Sequence, residues 1–262
     1  MPEGAECRII SERLSYLAGH RKLLSILPMS GRYLRKDIPG LLDFEPAHVV
    51  GVGVRGKLIF WILKNEQFIL STLGMTGSWA EDPDGKHIRI RFEFEEGNPI
   101  YFSDMRNFGT LKIIHSKREF INKLNSLGPD LLNEDVNLES FTSALDKKVH
   151  WSIAKALMDQ SVVAGVGNYV KAESLYRAGL SPYRLVGSLS GEEVFRIYEG
   201  TRNVLKLAYE MKRNYVDSGA DDERAILEFL VYGKKYDPIG NLVLKEKTPD
   251  GRITHWVPEI QK

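Results

Sequence analysis

The stretch LMDQSVVAGVGNY, residues 157–169, decides how the second half of this chain folds. Apolar residues at helical spacing precede Gly165 and Gly167, and Asn168 then opens a second run with the same spacing. The glycines permit a tight turn and a close backbone approach, and Asn168 can cap the helix that follows. The stretch therefore predicts two helices joined by a glycine turn.

The start of the second helix is also a candidate site for a phosphate, because helix N–H groups and the helix dipole attract anions. Residues 147–214 carry 11 Lys and Arg against six Asp and Glu, although the whole chain has a net charge of only +1. Such a basic block suits a polyanion, but it is equally typical of an ordinary solvated surface. The glycines could simply form the turn, so the residues alone leave both interpretations open.

The amino end, Met1-Pro2-Glu3-Gly4-Ala5-Glu6, offers a nucleophile. Removal of Met1 would leave a secondary amine on Pro2, and a terminal amine has a pKa of about 7.7–8.0, so roughly a tenth is unprotonated at pH 7. Such an amine can attack a carbonyl-like carbon and form a cationic iminium, which suits the cleavage of sugars. The alternative is that Pro2 only opens a helix and that Glu3 only complements the helix dipole.

Composition limits the class of protein. With 262 residues, 43% of them hydrophobic, the chain can bury one large core or two smaller ones. We see no signal peptide and no apolar run long enough to cross a bilayer, so we expect a soluble, intracellular protein that does not act in a membrane. Cys7 is the single cysteine, which excludes an intrachain disulfide and a cysteine-based zinc site. We expect Cys7 in a helix core.

Short runs rich in β-branched and aromatic residues, separated by glycines and polar turns, follow the first helix. They predict an α+β fold: an amino-terminal helix, an antiparallel β-sandwich or barrel, a helical module and a terminal hairpin. The predicted strands are 49–54, 58–63, 68–73, 88–94, 100–102, 111–114, 229–232, 242–245 and 253–257. The predicted helices are 3–17, 117–127, 138–145, 151–159, 168–178 and 191–212, the last opened by a capping box of Ser190 and Glu193. We expect domains at 1–130, 131–228 and 229–262.

Taken together, the two ends of this pattern resemble the formamidopyrimidine-DNA glycosylase and endonuclease VIII family. The glycine stretch is similar to its helix-two-turn-helix motif, and Pro2-Glu3-Gly4-Ala5-Glu6 is similar to its amino-terminal Pro-Glu-Gly-Pro-Glu, with Ala5 as a departure. The likeness spans essentially the whole chain. It implies a monomeric enzyme of base excision repair that acts on double-stranded DNA containing an oxidised base or an abasic site, in nucleoid, cytoplasm or nucleus.

The resemblance also implies roles for individual residues. Pro2 would be the nucleophile that forms a Schiff base at C1′ of the sugar, Glu3 and Glu6 would act as acid and proton relay, and Lys57 would bind the phosphate beside the lesion. Three residues would fill the space left by the flipped nucleotide: Met75, Arg106 and Phe108. The turn glycines Gly165 and Gly167, with Asn168, would bind DNA. Without the resemblance, Lys57 is predicted to be an exposed turn lysine. Met75 and Phe108 are then predicted to lie in the sandwich core, and Arg106 to pair with Asp104.

The chain end resembles the zincless finger of that family. No cysteine follows Tyr236, so a metal is excluded there, and Arg252 matches the arginine that a strand pair presents to DNA. We expect no cofactor. A hairpin-tip arginine is otherwise usually just solvated.

The predicted function is a bifunctional DNA glycosylase and abasic-site lyase that ends in β,δ-elimination. The zincless ending and a short loop near 215–224 resemble the endonuclease VIII side of the family and favour oxidised pyrimidines and hydantoins. The alternative is 8-oxoguanine and formamidopyrimidines, because base preference depends on the shape of that loop, which the sequence does not fix. A catalytically silent protein that binds damaged DNA is the main rival class. A proline-dependent tautomerase fits poorly, since such proteins are far shorter.

Overall fold

The computed structural model describes residues 2–132, 136–217 and 228–262. The chain divides into two compact units, of which the first contains Pro2 and Glu6–Asn125. The second contains Glu3–Ala5 and the described residues of Ser126–Lys262. Residues Glu3–Ala5, near the start of the chain, therefore belong to the second unit, whose other residues all follow position 125.

The first unit is an antiparallel β structure with a helix at each end of its sequence. Helix α1 spans Gly4–Ala18, helix α2 spans Lys117–Asn125, and a short 3-10 helix covers Gly31–Leu34. The strands are β1 (Lys22–Pro28), β2 (Ala47–Arg55), β3 (Leu58–Leu63), β4 (Phe68–Thr72), β5 (Gly77–Ala80), β6 (Ile88–Phe94), β7 (Ile100–Asp104) and β8 (Thr110–Ile114). They pair in the order β5-β7-β6-β1-β2-β3-β4-β8, and every pair is antiparallel.

The eight strands form two four-stranded halves that share one core. Strands β1 and β2 join the halves through only two residue pairs, whereas the ladders inside each half are longer. The ring of Trp61 on β3 lies 5.6 Å from Trp79 on β5 and 5.3 Å from Phe92 on β6, so side chains of both halves meet. This confirms the predicted antiparallel sandwich.

Helix α1 covers the same core. Cys7, Leu14 and Ala18 are all buried there, at the helical spacing that the sequence shows. The predicted helix and the core position of Cys7 are confirmed. The apolar stripe thus fixes the orientation of the helix whose first turn carries the candidate site.

Two strands were missing from the sequence prediction. Strand β1 carries a register shift between Leu23 and Ser25, which breaks the alternation of buried and exposed residues that identifies a strand. Strand β5 has only four residues and contributes one aromatic side chain, Trp79, to the core. Neither segment has the period-2 pattern over enough residues to stand out.

The second unit is helical. Its helices are α3 (Leu138–Leu145), α4 (Ile153–Met158), α5 (Asn168–Ala178) and α6 (Gly191–Asp217). The predicted capping box opens α6: Glu193 N–H donates to Ser190 Oγ at 3.2 Å, and Ser190 N–H donates to Glu193 Oε2 at 2.8 Å. Gly179, in the left-handed region at φ 67°, ends α5. The helices and the glycine turn between α4 and α5 lie where the sequence predicted them.

The tail contains one hairpin, formed by β9 (Leu244–Lys247) and β10 (Ile253–Trp256). The predicted strand at 229–232 is wrong. Instead of pairing with a strand, the N–H groups of Leu230, Val231 and Tyr232 donate to the buried carboxylate of Glu173 at 2.8–3.0 Å. A side chain of α5 therefore satisfies the backbone that a ladder would otherwise have satisfied.

Candidate functional site

The carboxylate of Glu3 lies at the amino end of α5 and is 1% exposed. Its Oε1 accepts a 3.0 Å hydrogen bond from the N–H of Tyr169, and its Oε2 accepts a 3.2 Å bond from the N–H of Val170. These N–H groups belong to the first helical turn, where the helix itself supplies no acceptor. The dipole of α5 also favours a negative charge at this position. Glu3 therefore caps a helix that begins far along the sequence.

Gly167 leaves the space that Glu3 occupies. Its φ of −126° is one that any residue can adopt, so the backbone conformation does not require glycine. A Cβ at this position would lie 2.6 Å from Glu3 Oε2 and still closer to Oε1. The close approach that the sequence predicts at this glycine is made by a carboxylate of the same chain.

Gly165 holds the residue that follows Glu3. It adopts a φ of 95°, which favours glycine, and its carbonyl accepts a 2.9 Å hydrogen bond from the N–H of Gly4. Ala5 is fully buried in the core of the helical unit. The backbone on the carboxyl side of Pro2 is therefore fixed by the glycine turn.

This arrangement corrects one part of the sequence argument. One of the two interpretations of this stretch used the N–H groups at the start of α5 as a phosphate site, but those of Tyr169 and Val170 donate to the carboxylate of Glu3. A phosphate near Asn168 must use other donors, such as the Asn168 side chain.

The remaining predicted catalytic residues lie in the first unit. Pro2 and Glu6 are half-buried at the beginning of α1, and Lys57 is half-buried in the turn between β2 and β3. The carbonyl of Lys57 accepts a 4.0 Å contact from the Cys7 thiol, which follows Glu6 directly. The turn thus packs against the first turns of α1 and brings Lys57 to the same end of that helix.

Two loops of the first unit carry the residues predicted to fill the vacated space. Phe108 is 52% exposed, and the Arg106 guanidinium lies 5.0 Å from the centre of its ring. Met75 is half-buried and lies outside the sandwich core. The alternative of a core role for Phe108 and Met75 is therefore wrong. An exposed aromatic ring under a cation can stack on a base.

Asp104 organises these loops and was missed as a functional candidate. It is fully buried, and its carboxylate accepts hydrogen bonds from Thr76 Oγ1 at 2.5 Å, Gly109 N–H at 2.7 Å and Arg106 N–H at 3.2 Å. The predicted alternative, a pair between the side chains of Arg106 and Asp104, is replaced by this backbone contact. Asp104 ties the loop of Met75 to the loop of Phe108. The sequence DMRNFG, residues 104–109, shows where Asp104 lies in the chain, but it does not show that the Asp104 side chain is buried.

The predicted phosphate ligands of the second unit come together at the hairpin. The side chain of Asn168 donates through Nδ2 to the carbonyl of Ile253 at 2.9 Å, so one of its two amide hydrogens is already used. Arg252, exposed, precedes Ile253 directly. The start of α5 therefore contacts the hairpin tip, and Asn168 bonds the residue that follows Arg252.

The basic block of residues 147–214 is partly internal. Lys171 is fully buried, Lys148 pairs with Asp159 at 3.1 Å, and Arg184 pairs with Glu193 at 3.0 Å. The carboxylates of Asp159 and Glu193 are already among the six counted in this block, whereas Lys171 is buried against Asp250 outside it and adds less surface potential than the count suggests.

The described residues, which omit 133–135 and 218–227, contain no group of three or more metal-ligating side chains. Within the same residues, no helix is long and apolar enough to cross a membrane. Of the loop predicted near 215–224, the first three residues belong to helix α6, and the rest lie outside the described residues.

Family models match three consecutive parts of the chain. They describe the N-terminal domain of formamidopyrimidine-DNA glycosylase over residues 1–111, its H2TH domain over 127–219 and its C-terminal domain over 221–262. The class of protein is therefore a DNA glycosylase. The formamidopyrimidine-DNA glycosylase of Oceanobacillus iheyensis is 34% identical over 278 residues, covering 100% of this chain and 98% of that protein.

Solved structures of Lactococcus lactis Fpg share the fold. Its complex with DNA containing FAPY-dG has a TM-score of 0.81 at 23% identity and covers 98% of this chain and 99% of that one. Its complex with DNA containing an oxidised pyrimidine has a TM-score of 0.82 at 23% identity, with 100% of both chains covered. The chain belongs to the formamidopyrimidine-DNA glycosylase family, an enzyme family of DNA repair, which confirms the resemblance and the fold class.

Proposed function

We propose that this enzyme removes oxidised bases from double-stranded DNA through a Schiff base on Pro2 and then cleaves the strand as an abasic-site lyase. The observation that carries the proposal is the buried carboxylate of Glu3, held by two N–H groups of α5. It follows Pro2 directly in the chain. A secondary amine whose neighbouring backbone is fixed can meet a sugar carbon in one orientation, which supports nucleophilic catalysis.

The chemistry proceeds from the Pro2 nitrogen after Met1 has been removed. The nitrogen forms a bond to C1′ as the bond between C1′ and the base breaks, and the base leaves with a proton. Opening of the sugar ring gives an iminium cation, which acidifies the C2′ hydrogens. Loss of a C2′ proton then expels the 3′ phosphate, and a second elimination expels the 5′ phosphate.

The side chains around Pro2 supply the proton transfers. Glu3 and Glu6 are candidates for protonating the ring oxygen and relaying a proton, since carboxyl groups serve as general acids and bases. Lys57, in the turn against α1, suits the phosphate beside the lesion. Because its carboxylate accepts two backbone N–H bonds, we assign Glu3 a second role in fixing the position of the amine.

The loops joined by Asp104 support extrusion of the damaged nucleotide. Flipping a nucleotide out of a duplex costs a few kcal/mol, and inserted side chains stabilise the gap. Phe108 and Met75 are suited to wedging between bases, and Arg106 to bonding the orphaned partner base. On the other unit, Asn168 and Arg252 suit neighbouring phosphates.

Two observations favour different lesions as the substrate. The zincless ending favours oxidised pyrimidines and hydantoins, whereas the names of the related proteins favour formamidopyrimidines. The L. lactis protein has been crystallised with FAPY-dG and with an oxidised pyrimidine in DNA. We therefore propose oxidised bases as the substrate class and include both lesion types in the test.

The decisive experiment is borohydride trapping. The protein, shown by mass spectrometry to lack Met1, is mixed with duplexes that contain an abasic site, thymine glycol, a hydantoin, 8-oxoguanine or a formamidopyrimidine. Reduction should give a covalent complex whose DNA adduct maps to residue 2. Glu3→Gln should slow trapping, whereas the exposed control Glu192→Gln should not. Binding without any trapped complex would instead support the catalytically silent binder.

A further inference from the structure

Lys171 is a buried cation in the first turns of α5 that the proposed chemistry does not use. Its side chain is 0% exposed, and its ammonium lies 2.6 Å from Asp250 Oδ2, on a side chain that is 2% exposed. Neither group can therefore touch a DNA phosphate. The sequence places Lys171 in the basic block, but the structure places it inside the protein.

The position is costly for a lysine. Burial lowers the pKa of Lys171 from its ordinary value, while the carboxylates of Asp250 and Glu3 act in the opposite direction and Arg252 adds to the lowering. The amino end of a helix is also its positive end, where a cation is disfavoured. A buried ion pair rarely contributes more stability than apolar side chains of the same size. Stability alone does not explain this pair.

Asp250 lies in the turn that joins β9 to β10. Its other carboxylate oxygen accepts a hydrogen bond from the Thr248 hydroxyl, which also lies 2.6 Å from the buried hydroxyl of Thr254. The Thr248 N–H donates to the carbonyl of Arg252 at 3.0 Å, and the Gly251 N–H donates to the carbonyl of Thr248 at 2.8 Å. The buried carboxylate is thus built into the loop that presents Arg252.

We propose that Lys171 and Asp250 are positioning residues that fix the hairpin tip against α5, so that Arg252 and Asn168 are held at a set spacing for adjacent DNA phosphates. The bond from Asn168 Nδ2 to the Ile253 carbonyl forms the second attachment of the same tip. The role rests on the proposed function, because it assigns the pair to DNA binding. The pair would fix the backbone beside Arg252, as the bonds of Glu3 fix the backbone beside Pro2.

Asp250→Asn is the test substitution. It keeps the shape of the side chain and the acceptor for the Thr248 hydroxyl, and it leaves Lys171 able to lose its proton, which burial already favours. The matched control is Glu259→Gln, which removes the same charge from an exposed residue of the tail. Binding to a duplex with an abasic-site analogue is measured at several salt concentrations, and hydrogen exchange of the tail is measured without DNA.

A pure charge effect and a loss of positioning predict opposite changes in the affinity of Asp250→Asn for DNA. Removal of a negative charge should by itself leave DNA binding unchanged or tighten it, as expected for Glu259→Gln. Loss of positioning should instead weaken binding about tenfold, as expected when one hydrogen bond to a charged group is lost. The salt slope should fall by about 1, as for Arg252→Ala. The double variant with Arg252→Ala should bind no more weakly than Arg252→Ala alone.

Hydrogen exchange separates this inference from the proposed function. Asp250→Asn should speed exchange of the amides between Thr248 and Thr254 even in a protein that failed to bind DNA. Should the substitution unfold the unit, Thr254→Val removes one hydroxyl from the same network and should act in the same direction with a smaller effect. Unchanged exchange, unchanged or tighter binding, or a loss that adds fully to that of Arg252→Ala would each overturn the proposal.

Discussion

Replacement of Gly167 by alanine tests the structural basis of the candidate site. The new Cβ would lie 2.6 Å from Glu3 Oε2 and closer still to Oε1, well inside contact distance. The backbone at Gly167 is extended, so alanine adds no φ strain. The neighbouring helix atoms are fixed, so the Glu3 carboxylate must move, and it then loses its bonds to the N–H groups of Tyr169 and Val170.

The magnitude follows from those two bonds. Hydrogen bonds to a charged group contribute about 1.5–3 kcal/mol each, and part of that is recovered when water or a displaced carboxylate replaces them. We expect Gly167→Ala to lower the free energy of unfolding by about 2–4 kcal/mol. In a protein of this size, each kcal/mol shifts Tm by about 2–4 °C, so Tm should fall by roughly 5–15 °C. Trapping on abasic DNA should fall with it, because Glu3 moves.

The assay is thermal unfolding of four proteins that form a double-mutant cycle: wild type, Gly167→Ala, Glu3→Ala and the double variant. Gly191→Ala is the matched control, because this glycine also lies at a helix start but has no atom within 4 Å of the position that an added methyl group would take. It should be neutral or slightly stabilising. With Glu3 removed, Gly167→Ala should cost little. If the two substitutions add fully, the clash with Glu3 is not the reason for glycine.

Three further predictions concern buried or partly buried carboxylates. Asp104→Asn should destabilise the first unit by about 1–3 kcal/mol, because an amide cannot accept all three of its bonds; an unchanged urea midpoint would contradict this. Glu173→Gln should cost a similar amount, about 1–3 kcal/mol, and hydrogen exchange should rise in the segment after 228; protection equal to wild type would show that Glu173 does not hold this segment. Burial alone would raise the pKa of Asp159, but bonds from Ser161 and Lys148 hold it below its ordinary value. A carboxyl group whose pKa is lowered by folding stabilises the fold at pH values above the unfolded-state pKa of about 3.9. This stabilisation is lost as the pH falls through the folded-state pKa. Asp159→Asn should therefore be less stable than wild type at neutral pH. Melting curves should converge with those of wild type below about pH 4, and a constant difference would exclude this explanation.

The sequence predicts the fold well wherever one face of an element is buried. Helix α1, strands β3 and β6 and the capping box at Ser190 all have patterns that local rules can read. Strand β1 does not, since its bulge breaks the alternation. The segment at 229–232 is apolar like a strand, but Glu173 binds its backbone, and no local pattern encodes a partner so distant in the sequence.

The candidate site is predictable in its residue types and not in its connections. Glu3 and Gly167 are both visible as motif residues, yet the sequence does not show that one fills the space left by the other. The buried pair of Lys171 and Asp250 is hidden for the same reason, because each residue alone looks like a surface charge. Burial depends on which elements pack together, and a single sequence does not report that.

The anchoring of Glu3 and Gly4 by residues 165–170 sets an order of events during synthesis. The strands of the sandwich leave the ribosome well before the glycine turn exists, and domains generally fold as their own residues emerge. The Gly4 N–H and the Glu3 carboxylate can form these bonds only after the ribosome has passed residue 170, so this part of the chain is fixed late. A nascent chain would thus carry a folded sheet while Glu3 and Gly4 are still without their bonds to residues 165–170.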